Sequence, residues 1–257
     1  MIHLQCTHLG KNFGKTEVFR DLNFGFGGAL CIGVQGANGS GKSTLMKCLS
    51  GLLRPSSGQV TWTIHDEQLA PEIIRHHIGY AAPYIHLYKE LSIRENLSFI
   101  QKIRPDKKSG PVESQVFAAA GDGSFIGDEA LSGLMEGDKP FSRSPSTRNQ
   151  NRGSSIDELI AFSGLNGLAD QEFGSLSSGQ QQRVRLCGAL VPRPDILMLD
   201  EPGTNLDSDG MAFVREIVLQ QQNSGGMVLL ASNRAEELSL CDRSVSLSPG
   251  GAHHIHG

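Results

Sequence analysis

Gly36-Ala37-Asn38-Gly39-Ser40-Gly41-Lys42-Ser43-Thr44 lies between two patterns that fix its conformation. The apolar run Leu30-Cys31-Ile32-Gly33-Val34 precedes it, and Leu45-Met46-Lys47-Cys48-Leu49 follows. The first reads as a buried strand and the second as a helix, so the glycines fall in the turn between them. Strand, glycine-rich turn and helix at this spacing are the context of a phosphate-binding loop. Glycine lets the backbone turn tightly and come close to a ligand. N–H groups opening the helix then face the phosphates, and the helix dipole adds positive potential. Gly36, Asn38, Gly39, Ser40, Gly41 and Thr44 are expected to line the phosphates. Lys42 is expected to reach the β- and γ-phosphates, and the Ser43 hydroxyl to ligate Mg²⁺. The stretch implies a nucleoside triphosphate as ligand.

The bulk of the chain sets bounds on what surrounds this loop. Its 257 residues suffice for one large domain, and 38% are hydrophobic, enough for a packed core. Nowhere does an apolar run reach the ~18 residues that a membrane-spanning helix needs. Met1-Ile2-His3-Leu4-Gln5 lacks the basic and apolar regions of a secretory signal. Cys6, Cys31, Cys48, Cys187 and Cys241 show no paired spacing and read as reduced core thiols of a cytosolic protein. A net charge of -4 gives no basic face, so no nucleic acid is expected as a partner. His253, His254 and His256 read as a solvated tail.

Strands alternate with helices along most of the chain, which implies an α/β fold with a mostly parallel core sheet. Residues 3–9 and 17–24 alternate apolar and polar side chains, as strands of an N-terminal antiparallel β subdomain. Further strands are expected at Gly58–Ile64, Ile78–Ala82, Asp195–Asp200 and Met227–Ser232, the last closing the core. Helices are expected from the loop to about Leu52, from the capping box Ser92-Ile93-Arg94-Glu95 to about Ile103, over 156–162, up to about Leu190, and near 208–222. From Pro105 to Ser155, 20 of 51 residues are Gly, Ser or Pro. That composition predicts a flexible, disordered insertion. It interrupts a helical subdomain at about 84–190 of a single domain spanning 1–257.

Ile196-Leu197-Met198-Leu199 ends in Asp200-Glu201. A buried strand delivering two carboxylates beside a phosphate loop has a definite use. Asp200 can hold Mg²⁺ through water, and Glu201 can position and deprotonate an attacking water. Lys42 and Glu201 are therefore the expected catalytic pair.

The order of the phosphate loop, Leu176-Ser177-Ser178-Gly179-Gln180, Leu199-Asp200-Glu201-Pro202 and Asn205-Leu206-Asp207 resembles an ATP-binding cassette ATPase over nearly the whole chain outside 105–155. The segment 176–183 is similar to that family's signature motif, with Ser178 where glycine is usual. In the family this motif opens a helix that contacts the γ-phosphate held by a partner subunit. The resemblance implies that Ser177, Gly179 and Gln180 bind ATP in this way, with Gln180 to Arg183 directed toward the interface. It also implies two composite sites in a head-to-tail dimer, with Asp207 linking them. Phe13 matches the aromatic that stacks on adenine, although a core phenylalanine beside a turn fits the pattern too. Pro83 stands where the family has a glutamine for Mg²⁺ and water. Asn233 stands where it has a γ-phosphate-sensing histidine, and can donate one hydrogen bond there without the charge.

The resemblance further implies the ATP-hydrolysing subunit of a transporter, working with separate transmembrane subunits from the inner face of the cell membrane. Such partners dock in the family near Tyr84 to Asn96, where Tyr84, Ile85, Leu87 and Tyr88 cluster. A soluble, non-transport cassette ATPase is an alternative, as is a nucleotide-sensing module with little turnover. The run Gly225–Leu230 and the compact N-terminal half are similar to haem-exporter ATPases of cytochrome c biogenesis.

Overall fold

Ile196-Leu197-Met198-Leu199 shows why the centre of the molecule is a sheet covered on both faces. In this computed structural model, which describes residues 1–104, 155–248 and 253–256, all four lie fully buried in β7 (Ile196–Asp200). Side chains alternate across a strand, and the alternation sorts them into two cores. Ile196 and Met198 join Ile32 and Val34 of β3 (Cys31–Gln35) and Leu229 and Ala231 of β8 (Met227–Ser232) on one face. Leu197 and Leu199 join Cys31, Val228 and Leu230 on the other. Unbroken apolar strands are what a parallel sheet with two covered faces requires.

This sheet has six strands in the order β10-β9-β3-β8-β7-β6. β6 (Ile78–Ala81), β7, β8, β3 and β9 (Arg243–Leu247) run parallel, and β10 (His253–His256) adds to β9 antiparallel. Two expectations are corrected. Met227–Ser232 does not close the core; it is interior, between β3 and β7, because β9 and β10 extend the sheet beyond β3. The terminal histidines are not a free tail, since their backbone pairs with β9 from His253↔Leu247 to His256↔Ser244. β9 escaped the sequence reading because Arg243-Ser244-Val245-Ser246-Leu247 has only two apolar residues.

One face of the sheet is covered by α1 (Lys42–Leu49) and a four-stranded antiparallel sheet in the order β2-β1-β4-β5. Its strands are β1 (Ile2–Phe13), β2 (Thr16–Gly27), β4 (Ser57–Ile64) and the short β5 (Glu67–Leu69). Trp62 Nε1 on β4 donates to Leu49 O at 2.8 Å, satisfying a carbonyl in the last turn of α1. After the one-turn α2 (Pro71–Ile74), the opposite face is covered by α3 (Ile93–Ile103), α4 (Ile156–Phe162), α5 (Ser178–Leu190) and α6 (Ser208–Asn223). A last short helix, α7 (Ala235–Leu238), follows β8. Ser92, Ser155 and Ser177 open α3, α4 and α5 with capping boxes. In each, the hydroxyl accepts the N3 N–H while the N3 side chain accepts the serine N–H.

The flexible insertion expected at 105–155 lies outside the described residues except for Ser155, which belongs to α4 as its cap. All five cysteines are free, and Cys6, Cys31, Cys48 and Cys187 are buried. Burial pushes the Cys48 thiol up to about 11 and the Cys187 thiol to about 12, so neither supplies a thiolate near neutrality.

Candidate active site

β3, β7 and β8 end at one edge of the parallel sheet, with Gln35 paired to Ser232 and Asp200 to Ala231. The segments leaving that edge carry Gly36–Thr44, Asp200-Glu201 and Asn233. Open α/β sheets bind ligands at this carboxyl edge.

The loop conformation depends on its glycines. Gly39 and Gly41 have φ of 79° and 100°, in the left-handed region. A Cβ on Gly41 would sit 2.6 Å from Val18 Cγ1, so packing demands glycine as well. Gly41 caps α1 without a side-chain bond, and the first turn of α1 carries no acidic residue. The opening N–H groups and the dipole of α1 therefore remain available to an anion. Lys42 is buried, and its Nζ donates to Gly36 O at 2.9 Å and Ala37 O at 3.2 Å. The ammonium is thus held at the centre of the curled loop. Ser40 Oγ is buried without a partner. Ser43 and Asn38 are exposed, and Thr44 is half-buried.

Asp200 is 1% exposed, and neither carboxylate oxygen has a well-formed hydrogen bond, although the Ser43 hydroxyl lies near them. Burial pushes its carboxyl up; the Ser43 hydroxyl and the charges of Lys42 and Lys47 act against that rise. A buried, unpaired carboxylate is costly, and a cation removes the cost. Among the described residues no three His, Cys, Asp or Glu form a metal-binding group. One carboxylate and one hydroxyl suit Mg²⁺, which keeps several waters and takes its remaining ligands from phosphates. The residues present therefore fit the ion.

Asp200→Asn is expected to raise the melting temperature of the nucleotide-free chain while weakening Mg²⁺-dependent nucleotide binding. The sign follows from the raised carboxyl: the folded form binds its proton more tightly than the unfolded form. Asp200 therefore costs stability as pH rises above the unfolded value of about 3.9, and asparagine removes that cost. Thermal melts from pH 4 to 8 should show the gap widening with pH, and a gap independent of pH would contradict the assignment.

Glu201 is half-buried and has φ of 50°. Its N–H donates to Ala231 O at 2.8 Å, and Thr204 N–H donates to its carbonyl at 3.2 Å. A non-glycine residue held left-handed costs on the order of 1–3 kcal/mol and persists only where its surroundings fix it. Asn233 Nδ2 donates to Asn38 Oδ1 at 2.9 Å, linking the end of β8 to the tip of the loop. The adjacent Arg234 donates from Nη1 to Gly203 O at 2.8 Å. The sequence reading missed this second link, because a lone arginine after a strand carries no motif. It also missed Tyr80, whose hydroxyl bonds that of Tyr84 beside this edge.

The signature segment lies against the 202–207 loop that leaves β7. Ser177 is exposed and caps α5; its N–H donates to Gln180 Oε1 at 2.9 Å. A Cβ on Gly179 would lie 2.9 Å from Asn205 O, so glycine lets α5 approach the 205–207 loop. Gln181, Gln182 and Arg183, which the resemblance directs toward an interface, make hydrogen bonds within the chain. Gln181 Nε2 donates to Phe173 O and Leu176 O, and the buried Gln182 donates to Pro202 O at 3.0 Å. Arg183 donates to Ser163 O and, at 2.9 Å, to Asp207 Oδ1. Loop carbonyls passing beside α5 need donors, and these residues supply them. Asp207 caps α6 by accepting Gly210 N–H at 2.8 Å. That bond, then Arg183, holds its carboxyl below the usual carboxylate range. Phe13 is 53% exposed at the end of β1, with Lys11 Nζ 4.8 Å from its ring centroid, so it is not a core residue.

The fold and its carboxyl edge define a phosphate-loop nucleoside triphosphatase. The chain belongs to the ABC transporter family, whose model matches residues 19–204. An uncharacterized ABC transporter ATP-binding protein of Bacillus subtilis (strain 168) is 26% identical over 249 residues, covering 96% of this chain and 93% of that protein. A cytochrome c biogenesis ATP-binding export protein of Methylococcus capsulatus (strain Bath) is 29% identical over 235 residues, covering 91% and 93%. That match bears out the resemblance read from the sequence. A dimeric bacterial ABC transporter cassette shares the fold with a TM-score of 0.69 at 19% identity, covering 98% of this chain and 97% of that one. The chain is an ATP-binding and ATP-hydrolysing subunit of this family.

Proposed function

We propose that this chain drives transport through separate membrane subunits by closing a head-to-tail dimer around two ATP molecules. The observation that supports this most directly is the orphaned Asp200 carboxylate beside Ser43 and the Lys42 loop, a site that becomes complete only with cation and phosphate. In this reading Gly36–Thr44 cradle the phosphates, and Lys42 moves from Gly36 and Ala37 onto them. Asp200 and Ser43 hold Mg²⁺, and Phe13 offers its exposed ring to adenine. Glu201, fixed by its backbone bond to Ala231, orients and deprotonates the attacking water. Bound Mg²⁺ would supply charge neutralisation at the phosphates. Ser177, Gly179 and Gln180 at the exposed start of α5 face the partner's ATP, with Asp207 beside them. Asn233 gives a neutral hydrogen bond where a charge is absent.

The chain sits on the cytoplasmic face of the membrane in this reading. Its docking surface is the segment before α3, where Tyr88 is 37% exposed and stacks edge to face on Phe99 at 5.4 Å. The name of the Methylococcus relative favours cargo of the cytochrome c maturation system. Tagged chain expressed in its native cell should be recovered from detergent-solubilised membranes with its membrane subunits, and Tyr88→Asp should shift it to the soluble fraction. Exclusive recovery of the unaltered chain from the soluble fraction would count against the reading.

A further inference from the structure

Tyr80 and Tyr84 share a hydrogen bond between their hydroxyls, and their rings meet edge to face with centroids 6.1 Å apart. Tyr80 lies on β6, where the next residue, Ala81, pairs with Leu199 immediately before Asp200. The two phenols therefore stand beside the point where Asp200 emerges. Lys47 covers the Tyr84 ring, with Nζ 3.9 Å from its centroid. Lys47 lies one helical turn beyond Ser43, on the same face of α1. Tyr84 is thus held between β6 and the face of α1 that carries Ser43.

Hydroxyl accounting gives this pair a surplus. Two phenols have two O–H groups, and their mutual bond uses one, so one donor remains for a third partner. Burial is the main cause that raises both phenols, and the Asp200 charge adds to it, so both stay protonated across the working range. The neighbouring Asp200 oxygens have no well-formed hydrogen bond, and Pro83 has no side-chain polar group or N–H to offer them.

We propose that Tyr84, held by Tyr80 and Lys47, is a positioning residue that orients the attacking water beside Asp200. The inference rests on the ATP-hydrolysing site proposed above. Water oxygen bonds to the γ-phosphorus, the bond to the β–γ bridging oxygen breaks, and the water proton leaves toward Glu201. The phenol donates a hydrogen bond throughout and neither gains nor loses a proton.

Tyr84→Phe in the full chain removes the hydroxyl and keeps the ring under Lys47. It is expected to lower kcat for ATP about tenfold, with KM and melting temperature unchanged. The chain has three tyrosines, so their ultraviolet absorption is assignable. Adding Mg²⁺ with a non-hydrolysable ATP analogue should give a tyrosine difference band that Tyr84→Phe loses and Tyr88→Phe keeps. Adding Pro83→Gln to Tyr84→Phe should restore turnover. Unchanged kcat, or a fall in kcat matched by lost thermal stability with the difference band intact, would overturn the proposal while wild-type hydrolysis stood. A wild-type chain that neither binds the analogue nor releases phosphate would overturn the underlying reading along with it.

Discussion

Lys42→Ala is expected to abolish tight ATP binding while leaving the fold in place. Lys42 is the one cation within Gly36–Thr44, and it is already buried at the centre of the loop. Without it, triphosphate charge would meet only N–H dipoles. Truncating one member of a buried, hydrogen-bonded charge pair costs about 2–5 kcal/mol, or roughly 30- to 4,000-fold in affinity. The cost to the fold is small by comparison. The two carbonyls that lose the ammonium belong to half-buried Gly36 and exposed Ala37, where water can replace it. Lys42→Arg should not rescue binding, because a planar fork does not replace a compact ammonium in a fixed cradle. Calorimetric nucleotide titration, with circular dichroism melts as control, checks both halves. Unchanged affinity would mean that the loop is not the site.

Glu201→Gln is expected to produce a chain that binds ATP, dimerises and stalls. The change is isosteric, and the backbone bond from residue 201 to Ala231 O does not involve the side chain. Two things are lost, the base and a negative charge close to the γ-phosphate. Losing a general base costs about 10²–10⁴-fold in turnover. Losing the charge favours the ATP-bound closed state, so the two effects act together to trap it. Size-exclusion chromatography with ATP and Mg²⁺ should show a dimer for the variant and mostly monomer for the wild type. A monomeric variant with normal phosphate release would refute the role of Glu201 and the composite-site arrangement together.

The loop, β7 and the start of α3 were legible because each is a local rule. Glycine spacing set the turn, the run Ile196–Leu199 set a strand covered on both faces, and Ser92-x-x-Glu95 set the cap of α3, while the same pattern at Ser155 was hidden by the Gly/Ser/Pro-rich stretch before it. What escaped depends on distant partners. β9 is a strand because β3 lies beside it, and its own apolar content is thin. Gln181, Gln182 and Arg183 looked like interface residues because a run of polar residues on a helix is the same in sequence whether it meets solvent or loop carbonyls. Only the placement of Phe173, Pro202 and Asp207 settles which it meets. The Tyr80–Tyr84 pair has helical spacing yet begins in a strand, so no periodic pattern announces it.

The loop from Pro202 to Asp207 is gripped from two directions. α5 holds it through Gln182, Arg183 and the close approach of Gly179, while Arg234, beside the loop-touching Asn233, holds it through Gly203. In the proposed reading it is shared by the surface that faces a partner's nucleotide and the pocket that holds the chain's own. Thermodynamic linkage then requires reciprocity: whatever free energy one occupant transmits to the other half of the chain is returned in full when the order of binding is reversed. In the proposed head-to-tail pair, two such chains would close that linkage into a ring, so that the two nucleotides are read as one event.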